Sequence, residues 1–446
     1  MLVSSKAHRV SFLTVAALLP GHTAGAARRG RPAASKETAV SDSPSDKPAS
    51  PAHYLQTVAV QPELEIAPGF ASFSPATHRG STVVFRNLAE LRAHGDGATT
   101  YWRYGLHATP TSEALCQHLA LLEGARHTLL QPSGLAAISL VYFALLKSGD
   151  DVLVPRNVYG PNRDHGEWLA REFGVTVRYY DPMDAAAVAA MIRPNTRLVW
   201  MESPGSVTME VPDSDAIVAA ARARGVLTAI DNTWSAGIYF RPFDKGIDIS
   251  VQALTKYQSG GSDVLMGAVL TCDDALHERL KRTRMLMGWG VSADDCHLVL
   301  RGLPSLPVRL AAHDRAAREV AEWLHQRPEV SRVLHPALPD CPGHASWRRD
   351  FTGASGLFAI ILRASYTRQQ VDAFVEALQL FAIGWSWGGA HSLAVPYHVQ
   401  GMRPAGTWPP AGWQDTGELV RLYIGLEDTR DLIADLRQAL EATLAA

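Results

Sequence analysis

The chain has 446 residues, of which 47% are hydrophobic and 19% are charged. That length supports a large buried core and exceeds one ordinary domain, so we expect two or three domains. The 42 lysine and arginine residues are nearly balanced by 44 acidic residues, which gives a net charge of −2. Proteins that bind nucleic acid or anionic membranes usually carry an excess of positive charge, which this chain lacks. We therefore expect a small molecule as the partner.

The first 55 residues combine a basic and apolar start with a segment rich in proline, serine and alanine. The start has roughly the shape of a secretory signal, although an unstructured extension or an overlong start site also explains it. The segment "RRGRPAASKETAVSDSPSDKPASPAH" cannot bury enough surface to fold. No uninterrupted apolar run in the chain reaches the ~18 residues of a membrane-spanning helix. We predict an unfolded extension over 1–55.

The four cysteines are widely scattered, at Cys116, Cys272, Cys296 and Cys341. No two of them have the close spacing of a zinc or redox motif, and the histidines form no metal-binding pair. We therefore expect a reduced, cytoplasmic protein without a metal site.

From residue 115 to 272, short apolar runs alternate with helical patterns. The predicted strands are "DVLVP" (151–155), "VTVRYY" (175–180), "RLVWME" (197–202), "LTAID" (227–231), "ISVQAL" (249–254) and "LMGAVLT" (265–271). Near-continuous apolar strands separated by helices favour an α/β domain with a parallel sheet covered on both faces.

The pattern changes after residue 300. Helical stretches at 311–328, 367–380 and 431–444 alternate with the strands "GLFAIILR" and "LVRLYIGL". This arrangement predicts a smaller α+β domain at the carboxyl end. We expect the division 1–55 (extension), 56–108 (amino-terminal segment), 109–302 (large domain) and 303–446 (small domain).

Polar residues close several of the predicted strands, and in open α/β sheets ligands bind at the carboxyl ends of the strands. They are Asn157, Tyr159, Glu202, Ser203, Asp231, Asn232, Thr233, Thr255 and Lys256. These residues are the first place to look for a site.

Asp231 and Lys256 end two successive strands and carry opposite charges. An aspartate in this position is often only a helix cap or a turn residue, and a lysine is rarely buried unless its charge is compensated. A pair that faces one pocket suits pyridoxal phosphate, whose aldehyde needs a lysine and whose ring nitrogen needs a carboxylate.

The stretch "QPSGLAAIS" places Ser133 and Gly134 at the start of a predicted helix. Free amide groups at a helix start bind anions such as phosphate, although Pro-Ser-Gly before a helix is also common in ordinary loops. Tyr159 follows a strand and is either a packing residue or an aromatic that stacks on a cofactor ring.

Long motifs from about residue 100 onward closely resemble the Cys/Met-metabolism family of pyridoxal-phosphate enzymes, and within it the β-lyase branch that cleaves cystathionine. The segments that carry this resemblance are "LEGARHTLLQPSGLAAIS", "MESPGSVTMEVPD", "AIDNTWSAG", "VQALTKYQSGGSDVLMG", "WSWGGAHSL" and "VRLYIGLED". The resemblance implies the fold type I, aspartate-aminotransferase-like architecture: a mostly parallel large-domain sheet and a smaller α+β carboxyl-terminal domain.

The resemblance also implies a role for each matching residue. Lys256 is similar to the Schiff-base lysine and Asp231 to the partner of the ring nitrogen, while Tyr159 resembles the stacking and proton-transferring tyrosine. The remaining matches are Gly134, Leu135, Thr233 and Thr255 for the cofactor, Ser386, Trp387 and Arg421 for the substrate, and Tyr101 and Arg103 for the phosphate of a neighbouring subunit. A homotetramer built as a dimer of dimers is expected.

The expected reaction is the α,β-elimination of L-cystathionine to homocysteine, pyruvate and ammonia in methionine biosynthesis. The tryptophan of "SWGG" favours this reaction over the alternatives within the family, which are γ-elimination and γ-replacement. A cofactor-binding regulator remains a second possibility. A dinucleotide-dependent dehydrogenase does not fit, because no G-x-G-x-x-G follows the first strand.

Overall fold

The computed structural model describes residues 55–60, 72–93 and 102–444. The predicted extension over 1–55 lies outside these residues except for Leu55, which begins a short helix. Tyr101 also lies outside them. Within the described ranges, no helix is both long enough and apolar enough to cross a membrane.

A large sheet of seven strands forms the first half of the described chain. Its strands are β1 (His127–Gln131), β2 (Asp151–Pro155), β3 (Thr176–Tyr180), β4 (Thr196–Glu202), β5 (Leu227–Asp231), β6 (Ile249–Ala253) and β7 (Gly267–Thr271). The strand order is β1-β7-β6-β5-β4-β2-β3. The pairs from β3 to β6 are parallel, whereas β7 is antiparallel to both of its neighbours. The sheet is therefore mostly parallel, as predicted.

The helices of this part precede, connect or follow these strands, and several of them cover the sheet. They are α1 (Leu55–Val60), α2 (Leu88–Ala93), α3 (Pro110–Glu123), α4 (Gly134–Leu145), α5 (Gly160–Phe173), α6 (Ala185–Met191), α7 (Ser214–Arg222), α8 (Asp274–Met287) and α9 (Ala293–Gly302). Strand β2 and the segment Leu198–Glu202 of β4 are fully buried, because helices cover both faces of a parallel sheet.

A second sheet of five strands lies in the carboxyl-terminal part. Its strands are β8 (Val330–Leu334), β9 (Leu357–Leu362), β10 (Ala382–Ile383), β11 (Leu393–Tyr397) and β12 (Leu419–Tyr423), in the order β10-β11-β12-β9-β8. The helices of this part are α10 (Leu306–His325), α11 (His344–Asp350), α12 (Arg368–Glu376) and α13 (Thr429–Thr443). The expected α+β pattern is present, and the exact boundary at residue 302 stays a prediction.

The buried side chain of Glu123 forms hydrogen bonds with residues of β6 and with the residue that follows β5. Glu123, at the end of α3, accepts hydrogen bonds from Asn232 Nδ2 (2.6 Å), Ser250 Oγ (2.6 Å) and Gln252 Nε2. Asn232 directly follows Asp231, and Gln252 lies four residues before Lys256. A buried charge with several donors rigidifies its surroundings, so Glu123 helps to fix the edge of the sheet from which Asp231 and Lys256 emerge.

Candidate active site

A cavity of about 860 Å³ opens at the carboxyl ends of β4, β5 and β6. Ten of the residues that were given a role from the sequence line it: Gly134, Leu135, Tyr159, Asp231, Thr233, Thr255, Lys256, Ser386, Trp387 and Arg421. The first seven belong to the large-sheet part and the last three to the part that contains the second sheet. The cavity therefore lies between the two sheets.

The amine of Lys256 lies inside this cavity. Its Nζ donates a hydrogen bond to Ser386 Oγ (2.6 Å) and lies 5.2 Å from the ring centroid of Trp387. Burial and the positive charge of Arg421 lower the pKa of Lys256 to about 8, while the negative charge of Asp231 opposes this shift. Near physiological pH, a much larger fraction of this amine than of an ordinary lysine is therefore neutral, and only the neutral form is nucleophilic or basic.

The carboxyl group of Asp231 faces the same space from the end of β5. Its Oδ1 accepts a hydrogen bond from the backbone N–H of Thr233 (3.0 Å), and Thr233 Oγ1 accepts one from Ala253 N (2.9 Å) on β6. Burial raises the pKa of Asp231, whereas Thr233 and the charge of Lys256 favour its ionised form. Thr233 thus links the aspartate to the strand that leads to the lysine.

The start of α4 provides an anion site on one wall. Ser133 is the N-cap, and its side chain accepts a hydrogen bond from Ala136 N (3.0 Å). The amides of Gly134 and Leu135 have no acceptor within the helix, as is general for the first residues of helices. With the helix dipole, these two amides favour a phosphate.

Gly134 is required by a close approach of two backbones. A Cβ at this position would lie 2.7 Å from Ala253 Cβ and 3.3 Å from Ala253 Cα. Any side chain here would push the start of α4 away from β6. The small residues at 134 and 253 therefore keep the anion site next to the strand that leads to Lys256.

The opposite wall of the cavity is formed by the loop between β10 and β11 together with Arg421 of β12. Ser386 has a left-handed backbone (φ 80°), and its carbonyl oxygen accepts a hydrogen bond from Arg421 Nη2 (3.3 Å). The Arg421 guanidinium is buried and lies 5.4 Å from the ring centroid of Tyr397. The ring of Trp387 packs against Tyr257, with centroids 5.5 Å apart.

Gly388 lets this loop touch the backbone of Lys256. It has φ 95°, and a Cβ here would lie 2.7 Å from the carbonyl carbon of Lys256 and 2.8 Å from its Cα. Both the backbone conformation and the lack of space require glycine. The sequence "SWGG" is therefore a contact motif between the two walls of the cavity.

A strained loop after β4 forms a third wall. Val207 (φ 72°) and Met209 (φ 58°) both have left-handed backbones, which is rare for any residue with a side chain and especially for a β-branched one. Arg403 holds this loop through hydrogen bonds from Nη2 to Ser206 O and Thr208 Oγ1, both 2.9 Å. Backbone strain of this kind clusters at functional sites.

Among the other residues that line the cavity, Glu202, Trp385 and Tyr397 were given no role in the site from the sequence. Glu202 closes a predicted strand, and its position at the strand end was the available signal. Trp385 and Tyr397 have no comparable signal, because only the folded chain brings their rings together, with centroids 5.8 Å apart.

The two residues expected to serve a neighbouring subunit are Tyr101 and Arg103. Tyr101 lies outside the described residues. Arg103 is exposed and, within the described ranges, is absent from the residues that line the cavity. Their predicted roles stay predictions.

The arrangement fits pyridoxal phosphate. Lys256 offers an amine of lowered pKa for the aldehyde, Asp231 a carboxylate for the ring nitrogen, and the start of α4 amide donors for the phosphate. The ring of Tyr159, 42% exposed, lies on the cavity wall and is available for stacking. Arg421 adds a cation that suits a carboxylate.

Comparison with known proteins agrees with this geometry. Residues 56–441 match the family described as Cys/Met metabolism PLP-dependent enzyme. The chain is 44% identical to the cystathionine beta-lyase of Bordetella avium, over 84% of this chain and 95% of the other, and 41% identical to that of Escherichia coli, over 80% and 91%. The solved cystathionine gamma synthase of Xanthomonas oryzae pv. oryzae superimposes with a TM-score of 0.79 at 30% identity, covering 88% of this chain and 99% of the other.

Proposed function

This chain belongs to the Cys/Met-metabolism family of pyridoxal-phosphate-dependent enzymes, and from that membership we propose that it is a cystathionine β-lyase. The reaction is the α,β-elimination of L-cystathionine: with one water, the substrate yields homocysteine, pyruvate and ammonia. The observation that carries the proposal is a single cavity lined by Lys256, Asp231 and Arg421. The fold is the type I architecture expected from the sequence.

Binding of the substrate is assigned to the wall from the second sheet. Arg421 takes the α-carboxylate, because a planar guanidinium bonds both carboxylate oxygens at once. Its hydrogen bond to Ser386 O orients the guanidinium. Trp387 and Ser386 line the same wall and limit the directions in which the rest of the substrate extends.

Proton transfer is assigned to Lys256. Bound pyridoxal phosphate supplies an electron-accepting ring that stabilises negative charge at the substrate α-carbon. In its neutral form, the amine of Lys256 removes the α-proton, and its lowered pKa makes this form available. Asp231 would keep the ring nitrogen of the bound group protonated, and Thr233 and Thr255 would help to hold the group. Tyr159 would stack on the ring, and Lys256 or Tyr159 would protonate the departing sulfur.

Product analysis tests the proposal. Purified protein loaded with pyridoxal phosphate is incubated with L-cystathionine, and the 2-oxo acids are separated by chromatography. We expect pyruvate and homocysteine in equal amounts. A preponderance of 2-oxobutyrate would instead indicate γ-elimination, and the Lys256→Ala protein, with its amine removed, is the inactive control.

A γ-elimination or γ-replacement is the second candidate. The similarity to a cystathionine gamma synthase across nearly the whole of that protein supports it. The greater identity to β-lyases favours the first candidate.

We further propose a homotetramer, built as a dimer of dimers, that acts in the cytoplasm. In each dimer, Tyr101 and Arg103 of one subunit contact the phosphate held by the other. The exposed position of Arg103, away from the cavity of its own chain, supports this assignment. The free state of the four cysteines supports a reducing compartment.

A further inference from the structure

Glu202 is a buried carboxylic acid that the mechanism above does not use. It ends β4 and is paired in register with Asp231, which ends the neighbouring parallel strand β5. Residues paired in register project from the same face of a sheet. Glu202 is 6% exposed and lines the cavity. Its carboxyl group is therefore part of the same strand-end surface as Asp231.

Glu202 contacts the backbone of Tyr159. Its Oε2 accepts a hydrogen bond from Tyr159 N–H at 2.8 Å. Tyr159 is the N-cap of α5 and makes no capping bond with its own side chain. Its carbonyl oxygen accepts hydrogen bonds from Asn162 N (2.9 Å) and Arg163 N (3.1 Å). The Tyr159 backbone is therefore fixed by α5 on one side and by Glu202 on the other.

The charges around Glu202 suit a role in positioning. Burial and the negative charge of Asp231 raise the pKa of Glu202, and the positive charge of Arg403 compensates only in part. Asp231 has Thr233 and Lys256 to stabilise its ionised form. Hydrogen bonds from Ser206 and from Tyr159 N–H also oppose the rise in the pKa of Glu202. In either protonation state, Glu202 keeps an oxygen that can accept the hydrogen bond from Tyr159 N–H.

We propose that Glu202 is a positioning residue: its carboxyl group fixes the backbone of Tyr159 and thereby the ring that covers the cofactor. Glu202 acts through Tyr159 and not by proton transfer. This assignment deepens the proposed function and rests on it.

Two substitutions of matched size test the role of Glu202. Glu202→Gln keeps an acceptor oxygen, whereas Glu202→Met keeps the volume and removes the acceptor. We measure the dissociation constant of pyridoxal phosphate by absorbance titration of cofactor-free protein. Glu202→Met is expected to weaken binding on the order of 10-fold, a size typical of coupled neighbours, and Glu202→Gln to stay within about 2-fold. Met and Gln variants that are equally weak would overturn the proposal.

A double-mutant cycle shows whether the effect passes through Tyr159. In a Tyr159→Ala background, which lacks the ring, Glu202→Met should change cofactor affinity by less than about 2-fold. An equal loss in both backgrounds would refute the assignment. Thermal unfolding checks that each variant is folded, and Glu202→Ala replaces Glu202→Met if the latter is not. Because this readout needs no substrate, it remains decisive even if the protein proves not to cleave cystathionine.

Discussion

At the scale of single residues, the chemistry depends on how burial and neighbouring charges affect the protonation of Lys256, Asp231 and Arg421. Burial disfavours the charged forms of Lys256 and Asp231, and the charge of each residue partly offsets this effect on the other. Arg421 keeps its charge despite burial, because a guanidinium is effectively always protonated. The site therefore combines an amine that titrates near neutral pH with a permanent cation on the opposite wall.

The reactivity of Lys256 should depend on pH in a way that surface lysines do not share. Its lowered pKa means that the neutral amine forms as pH rises through about 8. Lys245 is the internal comparison, because Asp350 and Asp215 raise its pKa above the usual value. Acetylation of the cofactor-free protein, followed by mass spectrometry, should modify Lys256 with a midpoint near 8 and Lys245 only at much higher pH. Parallel pH profiles for the two lysines would contradict the environment described for Lys256.

Removal of the Arg421 side chain should affect substrate capture and leave the cofactor in place. In Arg421→Ala, we expect KM for cystathionine to rise on the order of 100-fold, because a buried charge-assisted pair is lost. The absorbance of the bound cofactor should change little. Arg430→Ala, at a side chain that is 86% exposed, is the matched control and should behave as wild type. Loss of cofactor with an unchanged KM would assign Arg421 a different role.

At the scale of elements, the sequence predicted the strands of the large sheet from β2 to β7 better than those of the second sheet. "DVLVP" and "LTAID" coincide with β2 and β5, because uninterrupted apolar runs are typical of buried parallel strands. The direction of β7 was not predictable, since an apolar run does not encode the direction of its neighbours. β11 was not predicted, because Pro396 interrupts it. The proline is tolerated since β10 pairs only with Leu393 and Ala394, which leaves that side of Pro396 without a partner strand.

Some residues of the candidate site could be predicted from general rules of the fold, and others could not. Residues at strand ends, such as Asp231 and Lys256, follow from the general rule for α/β sheets. Arg421 lies inside a strand of the second sheet, and only the resemblance to a known family indicated it. The contact between Gly388 and the backbone of Lys256 joins residues more than a hundred positions apart, and a local pattern contains no information on such a contact.

Gly388→Ala should separate the two walls of the cavity. A Cβ at this position meets the Lys256 backbone at 2.7 Å, so either the loop or the lysine must move. A displacement of about 1 Å in a catalytic site costs on the order of 100-fold in kcat/KM. Gly225→Ala is the control, because Gly225 has φ 64° with no atom within 4 Å of the added carbon, and only backbone strain of about 1–2 kcal/mol is expected. Steady-state kinetics and urea unfolding of both variants distinguish loss of geometry from loss of stability.

At the scale of the whole molecule, the cavity is built from both sheets, and a neighbouring subunit is proposed to complete it. Lys256 and Asp231 come from the large-sheet part, whereas Arg421 and Ser386 come from the part with the second sheet. Neither half alone contains the amine, the acid and the cation that is proposed to bind the substrate carboxylate. Activity should therefore require an intact chain and, if Arg103 acts across an interface, an assembled dimer.

Mixed assemblies test the role of Arg103. Lys256→Ala and Arg103→Ala chains are each expected to be inactive or strongly impaired. If Arg103 serves the neighbouring subunit, hybrid dimers contain one site with both wild-type residues, and co-expressed chains should regain about one quarter of wild-type activity. The activity of the co-expressed mixture provides the measurement, and enrichment of hybrids with two different affinity tags should raise it toward about one half. An absence of recovery in hybrids would place Arg103 outside the neighbouring site.

Ser386 contacts both Lys256 and Arg421. Its hydroxyl oxygen meets the amine of Lys256, while its carbonyl oxygen meets the guanidinium of Arg421, and the left-handed backbone is what points both groups inward. A substitution of Ser386 that is meant to alter substrate choice is therefore expected to change the reactivity of Lys256 as well. Directed evolution at Ser386 should yield correlated gains and losses, so a broadened specificity is better sought at the exposed ring of Trp385.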